Sequence, residues 1–153
     1  QPGKLLKNDR YILLKDRGIL VIYNNLENKS EVYLINNVNN LGYLPIKLCF
    51  CEYFLNDYNS DENTIFVDSN QLIFPLKLRK KIDGDVFKPF GFDGFKKVSK
   101  FLKDEKVSKF HKDNLWILEN GDGKIIWLIG YRMDDRFKVN NNNQKVYKLS
   151  IEK

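Results

Sequence analysis

The chain has 153 residues, enough for one domain or for two small lobes sharing a core, and its 42% hydrophobic and 30% charged residues are the balance of a folded protein. No apolar run approaches the roughly 20 residues of a membrane-spanning helix, and the opening QPGKLLKND has neither an apolar signal-peptide centre nor an initiating Met, as expected of a cytoplasmic chain cut from a longer one. The net charge of +6 is local: Lys77 to Asp113 carries twelve Lys/Arg against six acids and the remainder cancels, which points to a polyanionic partner and away from a uniform solubility charge.

In chain order, Arg10 to Asn24 (RYILLKDRGILVIYN) reads as two β-branched and aromatic strands around Asp16-Arg17-Gly18, a hairpin signal. Glu31 to Asn37 is a further strand, broken by the Asn-rich run 36–40. Gly42 to Phe54 alternates Ile46, Leu48 and Phe50 against Lys47, Cys49 and Cys51, the period of a half-buried strand. The two cysteines are the chain's whole complement, and on a strand their spacing points both to one face, poorly placed for a mutual disulfide. They are expected to pack as small hydrophobes. Thr64 to Asp68 and Leu72 to Arg79 are strands, with Pro45 and Pro75 marking sheet margins.

Asp83-Gly84-Asp85 and Gly91-Phe92-Asp93-Gly94 are turns, rich in residues that tolerate unusual backbone angles. From Phe95 the pattern becomes helical. Phe95, Val98, Phe101 and Leu102 share one face, and Lys96, Lys97, Lys100 and Lys103 the other. Like charges at that spacing repel, so the face is more than an ordinary solvated one. Ser108 can cap a second short helix, Lys109 to Asp113. Leu115 to Glu119 and Lys124 to Ile129 bracket Asn120-Gly121-Asp122-Gly123 as a hairpin, with Trp116 and Trp127 either paired across it or on opposite faces. Gly130 to Val139 is irregular chain leading into a strand, and Val146 to Ile151 closes the sheet after a four-Asn loop.

The fold class expected is α+β: sheet-dominated, mainly antiparallel strands and hairpins, one or two short helices near 95–113. A β-rich lead-in lobe is expected over 1–71 and a second domain over 72–153.

Catalytic and metal chemistry find little support. No Gly-rich phosphate loop is present. Cys-x-Cys with the single distant His111 falls short of a four-ligand zinc set, and His111 reads as a surface or helix-end residue. Asp134 and Asp135 diverge in extended chain, so they read as a turn or as partners of Arg132 and Arg136. No catalytic, cofactor-binding or metal residue is assigned.

The run L-x-L-R-(x)4-G-D-x-F-x-P-x-G-x-x-G-x-K-K-V-x-K-F-L, carried by Leu76, Leu78, Arg79, Gly84, Asp85, Phe87, Pro89, Gly91, Gly94, Lys96, Lys97, Val98, Phe101 and Leu102, resembles the C-terminal domain of bacterial tRNA(Ile)-lysidine synthetases. The later W-x-x-G-x-R-x-D-x-R-F, at Trp127, Gly130, Arg132, Asp134, Arg136 and Phe137, looks like that family's closing signature. The match is specific over Leu72 to Val139 and loose before it. FPLKLR and the Pro89-Phe90-Gly91 version look like the Bacteroidota branch. The family often has an acid where Lys100 stands, so a role carried by that acid does not transfer.

The resemblance implies a fold similar to a module of the phenylalanyl-tRNA synthetase β subunit. It also implies a parent enzyme that uses ATP, with Mg, to adenylate the wobble cytidine of tRNA(Ile) and lets lysine displace AMP. That ligase chemistry belongs to an N-terminal PP-loop domain whose motif this sequence does not contain, so the chain itself is read as non-catalytic and without a cofactor. In the family, the C-terminal part holds the tRNA body and acceptor stem. The cations expected to contact RNA are Arg79, Lys80, Lys96, Lys97, Lys100, Lys103, Lys106, Arg132 and Arg136, with Arg132 and Arg136 equally read as structural partners of Asp134 and Asp135. Gly84, Asp85, Phe87, Pro89, Gly91 and Gly94 are read as the structural motif. The alternative is a protein-interaction module that docks the catalytic domain without touching RNA. A homodimer through an exposed sheet edge is also open.

Overall fold

The computed structural model describes the backbone of residues 4–7, 11–16 and 19–24, and residues 31–55, 57–140 and 145–152 in full. The first three strands, β1 (Lys4–Lys7), β2 (Tyr11–Asp16) and β3 (Ile19–Asn24), form an antiparallel sheet of their own in the order β1-β2-β3. The expected first hairpin is thus β2–β3; the tip at 17–18 lies outside the described residues. So does most of the four-Asn loop.

Two larger sheets follow. Strands β4 (Tyr33–Ile35), β5 (Lys47–Tyr53), β6 (Thr64–Asp68) and β7 (Leu76–Lys80) come first, and a two-stranded ribbon is made by β8 (Val86–Phe87) and β9 (Lys96–Lys97). Helices α1 (Val98–Asp104) and α2 (Lys109–Asp113) precede β10 (Trp116–Glu119), β11 (Ile125–Leu128), β12 (Arg132–Met133) and β13 (Val146–Glu152). One sheet runs β12-β11-β10-β7-β4 and the other β5-β13-β6, and all of their strand pairs are antiparallel. This is the sheet-dominated α+β class expected, with two short helices where the sequence placed them.

The five-stranded sheet is the middle layer, because its strands carry apolar residues on both faces. One face sends Leu76, Leu78, Leu118 and Trp127 against Leu48, Ile65, Val67 and Leu149 of the three-stranded sheet. The other sends Ile117 and Leu128 against Phe87 of β8 and Val98, Phe101 and Leu102 of α1. Phe87 meets Phe101 edge-on at 5.2 Å, a favoured arrangement of ring quadrupoles. A division at 71/72 falls inside the first cluster, whose members come from both sides of it.

Three local expectations need correction. Cys49 and Cys51 are exposed and free, not packed: Leu48 takes the buried side of β5, and a period of two leaves the cysteines outside. Trp116 and Trp127 are neither cross-strand partners nor on opposite faces. Trp127 lies opposite Leu118 and is fully buried, while Trp116 packs at the margin of the same cluster, with Tyr33 edge-on at 5.9 Å. Phe95 is not on a helix: α1 starts three residues later, and Phe95 stands 60% exposed.

The hairpin β10–β11 is tied to the chain before β7 by one side chain. Asn120, 1% exposed, accepts from Ile73 N at 2.7 Å and donates to Gln71 O at 3.1 Å and to Asp122 Oδ1 at 3.0 Å. Gly121 N donates to Ile73 O at 2.7 Å, so close that a Cβ on Gly121 would sit 2.4 Å from that oxygen. Asn120→Ala should therefore lower unfolding stability by about 2 kcal/mol, the cost of stranding buried backbone groups. Gly121→Ala should destabilise because backbone must move. Urea denaturation of both variants checks this, and a wild-type midpoint for either would refute the tie.

Candidate nucleic-acid interface

The segment between β7 and α1 contains no long regular element, yet two carboxylates hold it firmly. The first is Asp85. Its Oδ2 accepts from Ile82 N at 2.9 Å and from Arg79 Nη1 at 3.0 Å, and its Oδ1 from Arg79 Nη2 at 3.0 Å. Gly84, at φ 91°, supplies the left-handed turn that folds Asp85 back onto β7. Arg79 also reaches Glu119 at 3.3 Å on the neighbouring strand. Burial alone weakens the Arg79 charge, but the hydrogen bonds and fields of Asp85 and then Glu119 outweigh it and hold the guanidinium above its ordinary value. Only 11% of the Arg79 side chain is exposed.

The second is Asp134, which has no exposed surface. It accepts from Lys88 N at 2.9 Å, from Arg136 N at 2.8 Å, and from Arg136 Nε and Nη2 at 2.9 and 2.8 Å. The bidentate fork fixes the guanidinium plane, and the hydrogen bond to Asp134 leads the effects that raise the Arg136 pKa. Around this carboxylate Phe90 N donates to Met133 O and Asp135 N to Lys88 O, and Pro89 pairs with Asp134 across the gap. Phe87 and Pro89 are buried, and Gly91 and Gly94 have φ of 80° and 103°. All six residues of the expected motif therefore sit in this clamped loop.

The nine expected RNA-contacting cations separate into distinct environments. Arg79 and Arg136 serve the carboxylates just described. Lys80 lies over the Trp116 ring at 3.9 Å, and burial lowers its pKa while the field of Asp113 partly restores it. Lys96 bonds Asp104 at 2.6 Å. Its hydrogen bond is the largest of the effects holding the Asp104 carboxyl below its usual range, ahead of the fields of Lys100 and Lys103. Arg132 lies 3.8 Å from Glu105 and 5.3 Å from the centre of the Phe101 ring, and donates to Phe90 O. Lys97, Lys100, Lys103 and Lys106 are exposed.

Lys97 ends β9, and Lys100 and Lys103 follow on α1 at intervals of three, so the three side chains form a stripe. The opposite face of the helix buries Val98, Phe101 and Leu102. The opposed faces drawn from the sequence are thus present in α1, but Lys96 and Lys97 belong to a strand. Ser108 caps α2 as expected, its Oγ accepting from His111 N at 3.2 Å, and His111 is an exposed helix residue. Asp134 pairs with Arg136, as one of the two readings had it, whereas Arg132 turns instead to Glu105.

Sequence reasoning missed the exposed aromatics of the loop: Phe90 at 40%, Phe92 at 47% and Phe95 at 60% exposure. Their spacing among glycines was a usable signal, but a helical projection of Phe95 assigned that ring to the core. Among the described residues, no group of three or more His, Cys, Asp or Glu could hold a metal, and no helix is long and apolar enough to cross a membrane.

Comparison with known proteins gives concordant matches. Residues 76–151 match the family model of the TilS substrate C-terminal domain. The chain is 34% identical over 149 residues to a tRNA(Ile)-lysidine synthase of Parabacteroides distasonis, and 33% identical over 153 residues to one of Bacteroides thetaiotaomicron. These alignments cover 95% and 97% of this chain but 34% and 33% of the relatives, so the chain spans about a third of the curated relatives it matches. A crystal structure of a TilS C-terminal domain superposes with a TM-score of 0.65 at 24% identity, over 80% of this chain and 97% of that one, a likeness of fold.

Removing either clamp leaves its partner group stranded. Asp134→Ala should cost roughly 3 kcal/mol in unfolding free energy, because it takes the acceptor from Lys88 N and from three nitrogens of the partly buried Arg136, and Arg79→Leu a similar amount, because it leaves the nearly buried Asp85 without its counter-charge. Equilibrium denaturation measures both, and a loss under about 0.5 kcal/mol for Asp134→Ala would show that the loop does not depend on that carboxylate.

Proposed function

The chain belongs to the TilS substrate C-terminal domain family through residues 76–151, and from that premise we propose that it is the tRNA-gripping part of a tRNA(Ile)-lysidine synthase. The parent would use ATP and Mg to activate the wobble cytidine and join lysine to it, in a catalytic domain outside this chain. This part would hold the body and acceptor stem of the tRNA so that the correct anticodon reaches that domain.

The observation that carries the reading is the exposed stripe of Lys97, Lys100 and Lys103, opposite the buried Val98, Phe101 and Leu102. An A-form stem offers proteins mainly phosphates, 2′-hydroxyls and shape, because its major groove is too deep and narrow for side chains to read. Ammonium groups spaced along a short helix suit such a surface, and each phosphate neutralised releases counterions. Arg79, Lys96 and Arg136 are committed to Asp85, Asp104 and Asp134. They are proposed as positioning residues, with direct phosphate contact resting on the exposed lysines. Lys106, also exposed, lies just past α1 in the left-handed region at φ 56° and extends the same end of the helix.

The triple variant Lys97→Glu/Lys100→Glu/Lys103→Glu should weaken binding of a tRNA(Ile) transcript at least about tenfold at 0.1 M salt, and flatten the dependence of log affinity on log salt by about 2. Its urea midpoint should stay near that of the wild type, since these side chains are exposed. A filter-binding salt series reads both quantities. Unchanged affinity in a folded variant would overturn the assignment of this stripe.

A further inference from the structure

We propose that Phe92 and Phe95 form a stacking platform for unpaired nucleobases, beside the lysine stripe that would hold the paired stem. The proposal rests on the RNA-binding reading above and adds a second class of contact to it.

Large apolar side chains exposed together in a tightly held loop ask for a partner. Each of these rings stands next to a cation that is itself held. The Arg136 guanidinium lies 5.1 Å from the centre of the Phe95 ring and is fixed by its fork onto the fully buried Asp134. Lys96 Nζ lies 5.5 Å from the centre of the Phe92 ring and is fixed by Asp104 at 2.6 Å. With one cation at each ring, Phe92 still keeps 47% and Phe95 60% of its surface exposed. Apolar surface thus remains exposed at both residues, on a loop whose backbone is bonded at Lys88 N, Phe90 N and Phe92 N.

Charge decides between nucleic acid and protein as the occupant: the rings lie in the segment Lys77 to Asp113, which carries twelve Lys/Arg against six acids. Lys96 stands at Phe92 and Arg136 at Phe95, and Asp83 and Asp93 are exposed acids of the loop. A base stacked on a phenylalanine brings its phosphate into this cationic segment, beside the exposed lysines, and aromatic rings accept any base because every base has a π-face. Paired bases of a stem are unavailable for such stacking. The ligand is therefore a single-stranded end, bulge or loop of a folded RNA.

The test uses the 153-residue chain and three RNAs: a blunt hairpin, the hairpin with a short single-stranded extension, and the same extension made of abasic nucleotides. The abasic form keeps the phosphates and removes the bases. Wild-type protein should bind the base-bearing extension about tenfold more tightly than the abasic one. The pair Phe92→Leu/Phe95→Leu keeps apolar bulk but loses the aromatic face, and should reduce that preference to within about twofold while leaving the blunt hairpin's affinity unchanged. Equal wild-type binding of base-bearing and abasic RNAs would overturn the platform. So would a leucine pair that keeps the preference, and a protein contact would then be indicated if Phe92→Ala/Phe95→Ala loosened the chain's association with the rest of the enzyme. If stacking alone fails, salt-dependent binding of the blunt hairpin persists; if the RNA-binding reading fails, none of the three RNAs binds, and both proposals fall.

Discussion

A single carboxylate without solvent exposure, Asp134, holds together the parts of this protein that matter for its surface. It accepts hydrogen bonds from Lys88 N and from three nitrogens of Arg136. A buried charge is tolerated only when its hydrogen-bonding capacity is met. The loop before α1 must therefore come to Asp134, and the chain after β12 must turn back to it. Removing the charge would free both. Asp85 repeats the device at the start of the loop, where Arg79 and the Gly84 turn close a second small ring of polar contacts. Between the two, Phe87 inserts against Phe101 and brings α1 onto the five-stranded sheet.

The positive charge concentrated in this region consequently has two roles. Arginines and the better-shielded lysines are matched to carboxylates or aromatic rings, where their geometry sets the shape of the loop. Planar forks suit this use, because Arg can meet both oxygens of a carboxylate at once. Lysines at Lys97, Lys100 and Lys103 stay at the surface, where their charge extends into solvent and weakens with salt. A scaffold of internal pairs beneath an outer cationic stripe is a workable arrangement for holding a rigid polyanion, since the surface does not have to reorganise when the partner arrives. The proposed aromatic platform follows from the same clamps: the carboxylate that fixes Arg136 also fixes what lies beside Phe95.

Much of this was legible from sequence because it depends on local pattern. Apolar runs placed β6, β10, β11 and β13 within one residue of their observed bounds, while the expected β5 and β7 began five and four residues early. Ser108 announced α2, and Asn-Gly-Asp-Gly announced the hairpin between β10 and β11. The family resemblance, specific over Leu72 to Val139, takes in most of the 76–151 that the family model matches, while the relatives align over 95% and 97% of the chain. The misplacements have physical causes. The helical period was projected back across Phe95 to Lys97, three residues that belong to a loop and a strand, because Lys-Lys-Val-Ser-Lys-Phe-Leu keeps a 3.6-residue rhythm whichever residue comes first. The cysteines were assigned to the interior from their residue type, while the pleat of β5 gave that side to Leu48.

Sequence by itself determined the class of fold, the order of the elements, the family and the location of the net charge, since each is set by composition, period or motif along the chain. Only the tertiary structure decided which cations face outward. Arg79 and Lys97 look alike as entries in a charge count, but one lies under Asp85 and Glu119 and the other faces solvent. That distinction depends on groups tens of residues away, such as Glu119 for Arg79 and Asp135 for Lys88. Ion pairing acts through space and carries no period that a linear reading can detect.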